Sequence, residues 1–374
     1  MLGYYFDNQI IIGEDNMNNK KRVIKNVMIV FLVLIIVSIS IFIAMFHKEV
    51  ATLGTVKKVD DNTLYTMEYK GDYGFDAFLE KGASSDKELV SFVTERLLKG
   101  IPLKFSIPDL GCSTFRAMSV EGDQLFGRNF DLTYSPAMLV KTKPDNGYAS
   151  ISMVNLAFLG YTKDKLPDSF QDRLISLAAP YAPLDGMNEK GVSIGVLLIP
   201  SDPTDQKTDK VDITTTTAVR LVLDKAANVD EAVALLKNYD MHSSANSSYH
   251  FQISDALGKS VVVEYIDNEL KVVEQEGNYQ AATNFLLTPG DYSYGYGYER
   301  YDTLVSTLSD KNGVLSEDEA MNLLKDAAQQ WHVNDKNEMS ATQWSVVYNN
   351  TKKTVKIVVG LQYDKVHEFS LFDE

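Results

Sequence analysis

The sequence predicts a layered α+β fold behind a membrane-spanning helix. Three observations carry that expectation. Helical patterns come in pairs, at 214–227 with 229–238 and at about 300–308 with 316–328, each repeating apolar residues at helical spacing. Strand-like runs come in blocks between those pairs, which suits a layered fold better than βαβ winding. Residues 27–46, VMIVFLVLIIVSISIFIAMF, carry no charge over 20 positions, enough for a helix to cross a hydrocarbon layer.

Taken in order, the chain opens with that apolar segment and its flanks. Lys20, Lys21, Arg22 and Lys25 precede it; only His47 and Lys48, then Glu49, follow. The positive-inside bias assigns residues 1–26 to the cytoplasm and everything after residue 48 to the outside. A cleaved signal peptide would have a shorter apolar core and a small-residue cleavage site, and MFHKEVATLG fits that poorly. An uncleaved single-pass anchor in the cell membrane is therefore expected, with the rest of the chain extracytoplasmic. Met17, which begins MNNKKRVIKN, is a second candidate start. Next come a strand-like stretch, TLYTMEYKGDYGF, and a helix over 86–99 that ends at Gly100. That helix carries Leu89, Phe92, Val93, Leu97 and Leu98, which need a partner surface. Residues 112–132 read as two strands joined at VEGD. Strands are expected at 249–255, 260–267, 269–275 and 279–284, and closing strands at about 342–349 and 353–359. No internal repeat or low-complexity linker interrupts them.

Composition narrows the chemistry. A hydrophobic fraction of 45% and a charged fraction of 23% are ordinary for a globular chain. A net charge of −15 argues against nucleic acid as a partner, because phosphate binding needs basic surface. The single cysteine excludes an intrachain disulfide and a cysteine-cluster zinc site. His47, His242, His250, His332 and His367 are scattered, with no pair at the spacing of a helix-borne metal site, so no metal or other cofactor is expected.

That lone thiol, Cys112, sits in DLGCSTFRAMSVEGDQLFGRNFDL, with Arg128 and Asp131 downstream. A buried structural cysteine is one reading. Lipid attachment is a second, and it fails because Cys112 lies far beyond the apolar segment. A nucleophile is the third: thiolate is the reactive form of cysteine, and nearby positive charge favours it.

CSTF followed by GRNFD resembles the N-terminal-nucleophile hydrolases that cut linear amide C–N bonds. That family includes bile salt (choloylglycine) hydrolases, penicillin V acylases, acid ceramidase and N-acylethanolamine acid amidase. Further segments match it in order: DGMNEKG at 185–191, HFQISDALGKSVVVEY at 250–265, ATNF at 282–285, YERY at 298–301 and TQWSVVYNNTKKTVKI at 342–357. The resemblance covers roughly residues 110–370 and implies a four-layer αββα sandwich at 112–374. Residues 49–111 then read as a pro-segment: the apolar positions of its helix suit docking on that domain, and a free α-amine on Cys112 requires a cut between Gly111 and Cys112.

The chemistry then has its parts. The freed α-amino group of Cys112, with an ordinary pKa of about 7.7–8.0, would serve as base, so no histidine is required. The resemblance implies that Asp131 orients that amine, that Arg128 sits beside the thiol, that Asn284 donates to the oxyanion and that Arg300 pairs with a site carboxylate. Singly, each also fits a bland role: a surface ion pair for Asp131, a solvated strand arginine for Arg128, a turn residue for Asn284, a helix-start arginine for Arg300. One position departs from the family. Ten residues after Asn188, where bile salt hydrolases carry asparagine and penicillin V acylases tyrosine, stands Leu198, so an oxyanion contact there would need its backbone N–H. The short interval from Asn284 to Arg300 resembles the acid ceramidase and acylethanolamine amidase branch. Its tyrosines, Tyr292, Tyr294, Tyr296, Tyr298 and Tyr301, suit either an acyl pocket or a surface loop. The expected partner is a small N-acyl amide substrate; a surface binding protein that kept the fold without turnover is the alternative.

Overall fold

The computed structural model describes residues 3–106, 111–334 and 336–372. It divides into two compact units, one ending at Ala51 and one beginning at Thr52. Helix α1, Gly3–Thr55, makes up the first and supplies the opening residues of the second. The span expected at 27–46 lies in this helix, with its side chains at 39 and 41–45 outside the described residues. Val27, Phe31, Leu34 and Val37 are exposed. Among the described residues, no helix is long and apolar enough to cross a membrane.

The second unit is built on two sheets. The nine-stranded sheet runs Lys57–Asp60, Leu64–Glu68, Ala137–Thr142, Ser150–Asn155, Pro183–Asn188, Ser193–Ile199, Ser248–Ser254, Ser260–Ile266 and Glu269–Glu274. The other runs Gln280–Ala282, Gly111–Met118, Gln124–Leu132, Met339–Asn349, Thr354–Val359 and His367–Ser370, with His332–Val333 paired to the start of Met339–Asn349. Within these sheets all pairings are antiparallel except Leu64–Glu68 with Ala137–Thr142. Gly111–Met118 packs face to face on Ser193–Ile199 and Ser248–Ser254. Helices α4 (Thr215–Lys225) and α5 (Val229–Leu236) cover the outer face of the nine-stranded sheet. Helices α6 (Tyr298–Asp310) and α7 (Glu317–Asp326) cover the outer face of the other. The order is helix, sheet, sheet, helix.

Strand alternation decides which side chains meet between the sheets. Cys112, Phe126 and Phe130 join the large core shared with the nine-stranded sheet. Phe115, Ala117 and Leu125 turn the other way and pack with Leu304, Leu308, Leu323 and Leu324 of α6 and α7. Cys112 thus points inward between the sheets, at the head of its strand.

The segment from Thr52 to Ser106 belongs to the same compact unit. Leu64–Glu68 is an interior strand of the nine-stranded sheet. Helices α2 (Phe75–Lys81) and α3 (Asp86–Arg96) follow. Phe78 and Phe92 each stack edge-on or tilted against Tyr181, at 5.7 and 5.8 Å between ring centroids. The helix expected to run to residue 99 stops at Arg96, because Lys99 and Gly100 adopt φ of 50° and 92°, which an α-helix cannot continue. The strand expected at 279–284 shortens to Gln280–Ala282. Four strands between Ala137 and Ile199 had no expectation attached to them. Nearly every side chain in them is buried, so they lack the alternation that marks a half-exposed strand.

Candidate active site

Cys112 and Phe130 are cross-strand partners, as are Gly111 and Asp131. This register brings the strand of Arg128 and Asp131 alongside the thiol. Arg128 Nη2 donates to Cys112 Sγ at 3.3 Å. Asn284 follows the short strand Gln280–Ala282, which pairs with Thr114–Arg116. Its Oδ1 accepts the Cys112 backbone N–H at 2.9 Å. Arg300, in the first turn of α6, reaches the same point from the helix side. Its Nη1 donates to the Cys112 carbonyl, to Ser113 Oγ at 2.8 Å and to Asp131 Oδ2 at 3.1 Å, and its Nη2 to Asn284 Oδ1 at 2.8 Å. The four side chains expected at the site, from Arg128, Asp131, Asn284 and Arg300, therefore converge around Cys112.

Leu198 is also present. Its carbonyl accepts from Asn284 Nδ2 at 2.9 Å, a contact separate from the backbone N–H expected to face an oxyanion, and one that orients the Asn284 amide. With Oδ1 facing two donors and Nδ2 facing a carbonyl, the orientation of that amide follows from its partners. At Gly111 φ lies outside the left-handed region, and it is space that favours glycine: a Cβ there would lie 2.9 Å from Asp131 Cβ and 3.3 Å from its Oδ2.

Three supporting residues were not among the expected set. Asp185, fully buried, lies 3.2 Å from Arg128 Nε and accepts from Tyr348 Oη at 2.5 Å and Trp344 Nε1 at 3.4 Å. Thr342 donates to Asp131 Oδ1 at 2.5 Å. Ser113 shares Arg300 with Asp131. The signal for Asp185 was its position in DGMNEKG; it lies on Pro183–Asn188, in the sheet facing that of Arg128, and only the sheet packing reveals the pairing. Asp185→Ala would leave the Arg128 guanidinium buried and unpaired. It is expected to destabilise the fold by about 3–5 kcal/mol, read from urea unfolding, with Asp185→Asn losing less because it keeps an acceptor.

Electrostatics differ between the buried groups. Burial pushes the Cys112 thiol up to about 11, against the pull of Arg128. Burial also raises the carboxyls of Asp131 and Asp185, opposed by Arg300 and Arg128 respectively. A cleft of about 610 Å³ opens beside this cluster, lined by Gly111, Asp131, Leu198, Tyr296, His332 and Lys336 among others. Cys112 itself is buried, and the Gly111–Cys112 bond borders the cleft. Of the tyrosines, Tyr296 lines the cleft, whereas Tyr298 is half exposed over Phe285 and Tyr301 packs against the helix-side core. Among the described residues, no group of three or more His, Cys, Asp or Glu side chains is placed to hold a metal ion.

Residues 112–329 match the linear amide C–N hydrolases, choloylglycine hydrolase family. A penicillin V acylase from Pectobacterium atrosepticum is 32% identical over 111 residues, 27% of this chain and 29% of that protein. A bile salt hydrolase/transferase from Clostridium perfringens is 28% identical over 172 residues, 44% of this chain and 50% of that protein. The chain thus spans half or less of the length of these curated relatives. Among solved structures, a mutant conjugated bile acid hydrolase from Clostridium perfringens superposes with a TM-score of 0.52 at 19% identity, covering 69% of this chain and 92% of that one. A penicillin V acylase from Agrobacterium tumefaciens gives 0.50 at 17%, covering 69% and 86%. These likenesses concern the fold.

Proposed function

We propose, since this chain belongs to the choloylglycine hydrolase family of linear amide C–N hydrolases, that it hydrolyses the amide bond of a small N-acyl compound with Cys112 as nucleophile. The carrying observation is the convergence of Arg128, Asn284 and Arg300 on Cys112 beside an open cleft. Before turnover the chain cuts itself between Gly111 and Cys112. The thiol attacks the Gly111 carbonyl, the C–N bond breaks as the acyl group moves to sulfur, and water releases Gly111 as a carboxylate. Cys112 is left with a free α-amine.

In turnover that amine takes the thiol proton. The thiolate attacks the substrate carbonyl, forming a C–S bond and an oxyanion. The C–N bond then breaks, and the ammonium proton leaves with the amine product. Water hydrolyses the thioester and restores the thiol. Arg128 favours the thiolate by its charge. Asp131, opposite Gly111, is suited to hold the new ammonium. Asn284 is the candidate donor to the oxyanion, a contribution of about 10²–10³ in rate where it has been measured in other hydrolases. The uncharged run at 27–46, with basic residues before it, supports a membrane tether that leaves the catalytic domain outside the cytoplasm.

The test is a panel of N-acyl amides offered to the full chain in mild detergent. A burst of released amine, absent from Cys112→Ala, is expected; tight binding without release would make this a binding protein. Leu198 bears on the substrate. It offers no side-chain donor, so conjugated bile salts and penicillin V are expected to turn over poorly beside fatty-acyl amides. Efficient hydrolysis of either overturns that assignment.

A further inference from the structure

Asn284 has to stand still to serve an oxyanion, yet it lies beyond the end of its strand, where its backbone makes an isolated bridge to Tyr296. Two buried titratable side chains with no part in the chemistry above hold its segment on both sides. His250 lies on Ser248–Ser254 and Glu264 on Ser260–Ile266; the register pairing Phe251 with Val263 sets them opposite each other. Both are fully buried. His250 Nε2 lies 2.7 Å from the Thr283 carbonyl, one residue before Asn284. Glu264 accepts the N–H of Leu287 at 2.7 Å through Oε1 and that of Thr288 at 3.0 Å through Oε2.

The Thr283 carbonyl only accepts, so Nε2 is the donor to it, and Glu264 Oε1 lies 3.3 Å from Nδ1. Burial alone would raise the Glu264 carboxyl, but His250, the Thr288 side chain and the Leu287 amide outweigh it and hold it below the ordinary range.

We infer that His250 and Glu264 are positioning residues for the proposed hydrolysis: a buried, hydrogen-bonded pair that clamps the 283–288 segment and so fixes the Asn284 amide beside Cys112. The inference rests on the amidase reading for its kinetic arm and on the geometry alone for its structural arm.

Three chains test it: wild type, Glu264→Gln, and the doubly neutral His250→Gln/Glu264→Gln, which leaves no unpaired charge buried. Hydrogen exchange over 283–288 and steady-state kinetics on the best amide of the panel are measured together. In the wild type, the Leu287 and Thr288 amides are expected among the slowest to exchange between 283 and 297. In the variants that exchange quickens. The kcat falls about tenfold or more, because small displacements of a transition-state donor are costly, while KM stays within about twofold. A residue that only stabilised the fold would lower the melting temperature without that split. Fast exchange of these amides in the wild type overturns the inference with no variant needed. So does a folded variant with wild-type exchange and kcat. If the wild type cleaves no amide, the function reading fails, and the exchange measurement still decides the clamp.

Discussion

Cys112→Ala is expected to remain a single uncut chain and to release no amine from any N-acyl amide, a loss of about 10⁴-fold or more in kcat/KM. Both losses share one cause. The same sulfur opens the Gly111–Cys112 bond and then attacks substrate, and no second cysteine exists to replace it. Cys112→Ser keeps a hydroxyl, a poorer nucleophile at neutral pH, and should retain at most slow self-cleavage. The pH dependence of the uncut form has a definite sign. Its thiol is held near 11 by burial, above the ordinary 9.0. The fold therefore favours the protonated thiol, and this contribution to stability is complete below about pH 9 and lost as pH rises toward 11. At neutral pH the uncut chain should accordingly resist alkylation, and the cut enzyme should be alkylated and inactivated quickly. Activity surviving in Cys112→Ala, or in fully alkylated enzyme, would refute the assignment of the nucleophile.

What the sequence made legible depended on whether local spacing carried it. The α5, α6 and α7 helices were visible because each is part buried and repeats at 3.6 residues, and α4, buried on nearly every side, because its apolar residues keep that spacing. The Cys112 hairpin was visible because VEGD punctuates it. Cys112, Arg128 and Asp131 share that hairpin, so their closeness follows from strand register alone. Asn284 and Arg300 came from the resemblance, since nothing local ties them to residue 112. Asp185 and the His250–Glu264 pair were not singled out. Each acts across a sheet or between sheets, a relation that no spacing along the chain encodes. The Leu198 carbonyl contact was equally hidden, because a side-chain comparison at that position cannot say which backbone atom faces Asn284.

Cleavage at Gly111–Cys112 is expected to yield two fragments that separate on a denaturing gel but travel together through native chromatography in mild detergent. The larger should begin Cys-Ser-Thr-Phe. Chemistry demands the cut, because an amide nitrogen cannot act as base. Packing opposes separation. The strand Leu64–Glu68 has a neighbour on each side, one of them Ala137–Thr142 beyond the cut. Phe75, Phe78, Leu89, Phe92, Val93, Leu97 and Leu98 are all buried. At roughly 1.5–3 kcal/mol for each large side chain, their burial is worth on the order of 10–20 kcal/mol. The entropic cost of holding two chains together is about 4–15 kcal/mol, and the strand pairing adds to the favourable side. Polar anchors set the register. Tyr73 Oη donates to Asp224, Asp86 accepts from Ser244 Oγ and the Ala245 N–H, and Asp60 meets Lys365 and His367. Burial works against the Asp60 carboxylate, yet these partners hold it near 2. That contribution is therefore present above about pH 4 and lost only as pH falls through about 2. The two fragments should co-elute at pH 5 as firmly as at pH 7. Gly111→Val, whose side chain would meet Asp131, should slow the cut and with it the appearance of activity. A fully active protein that runs as one uncut chain would refute both the processing and the role of the α-amine.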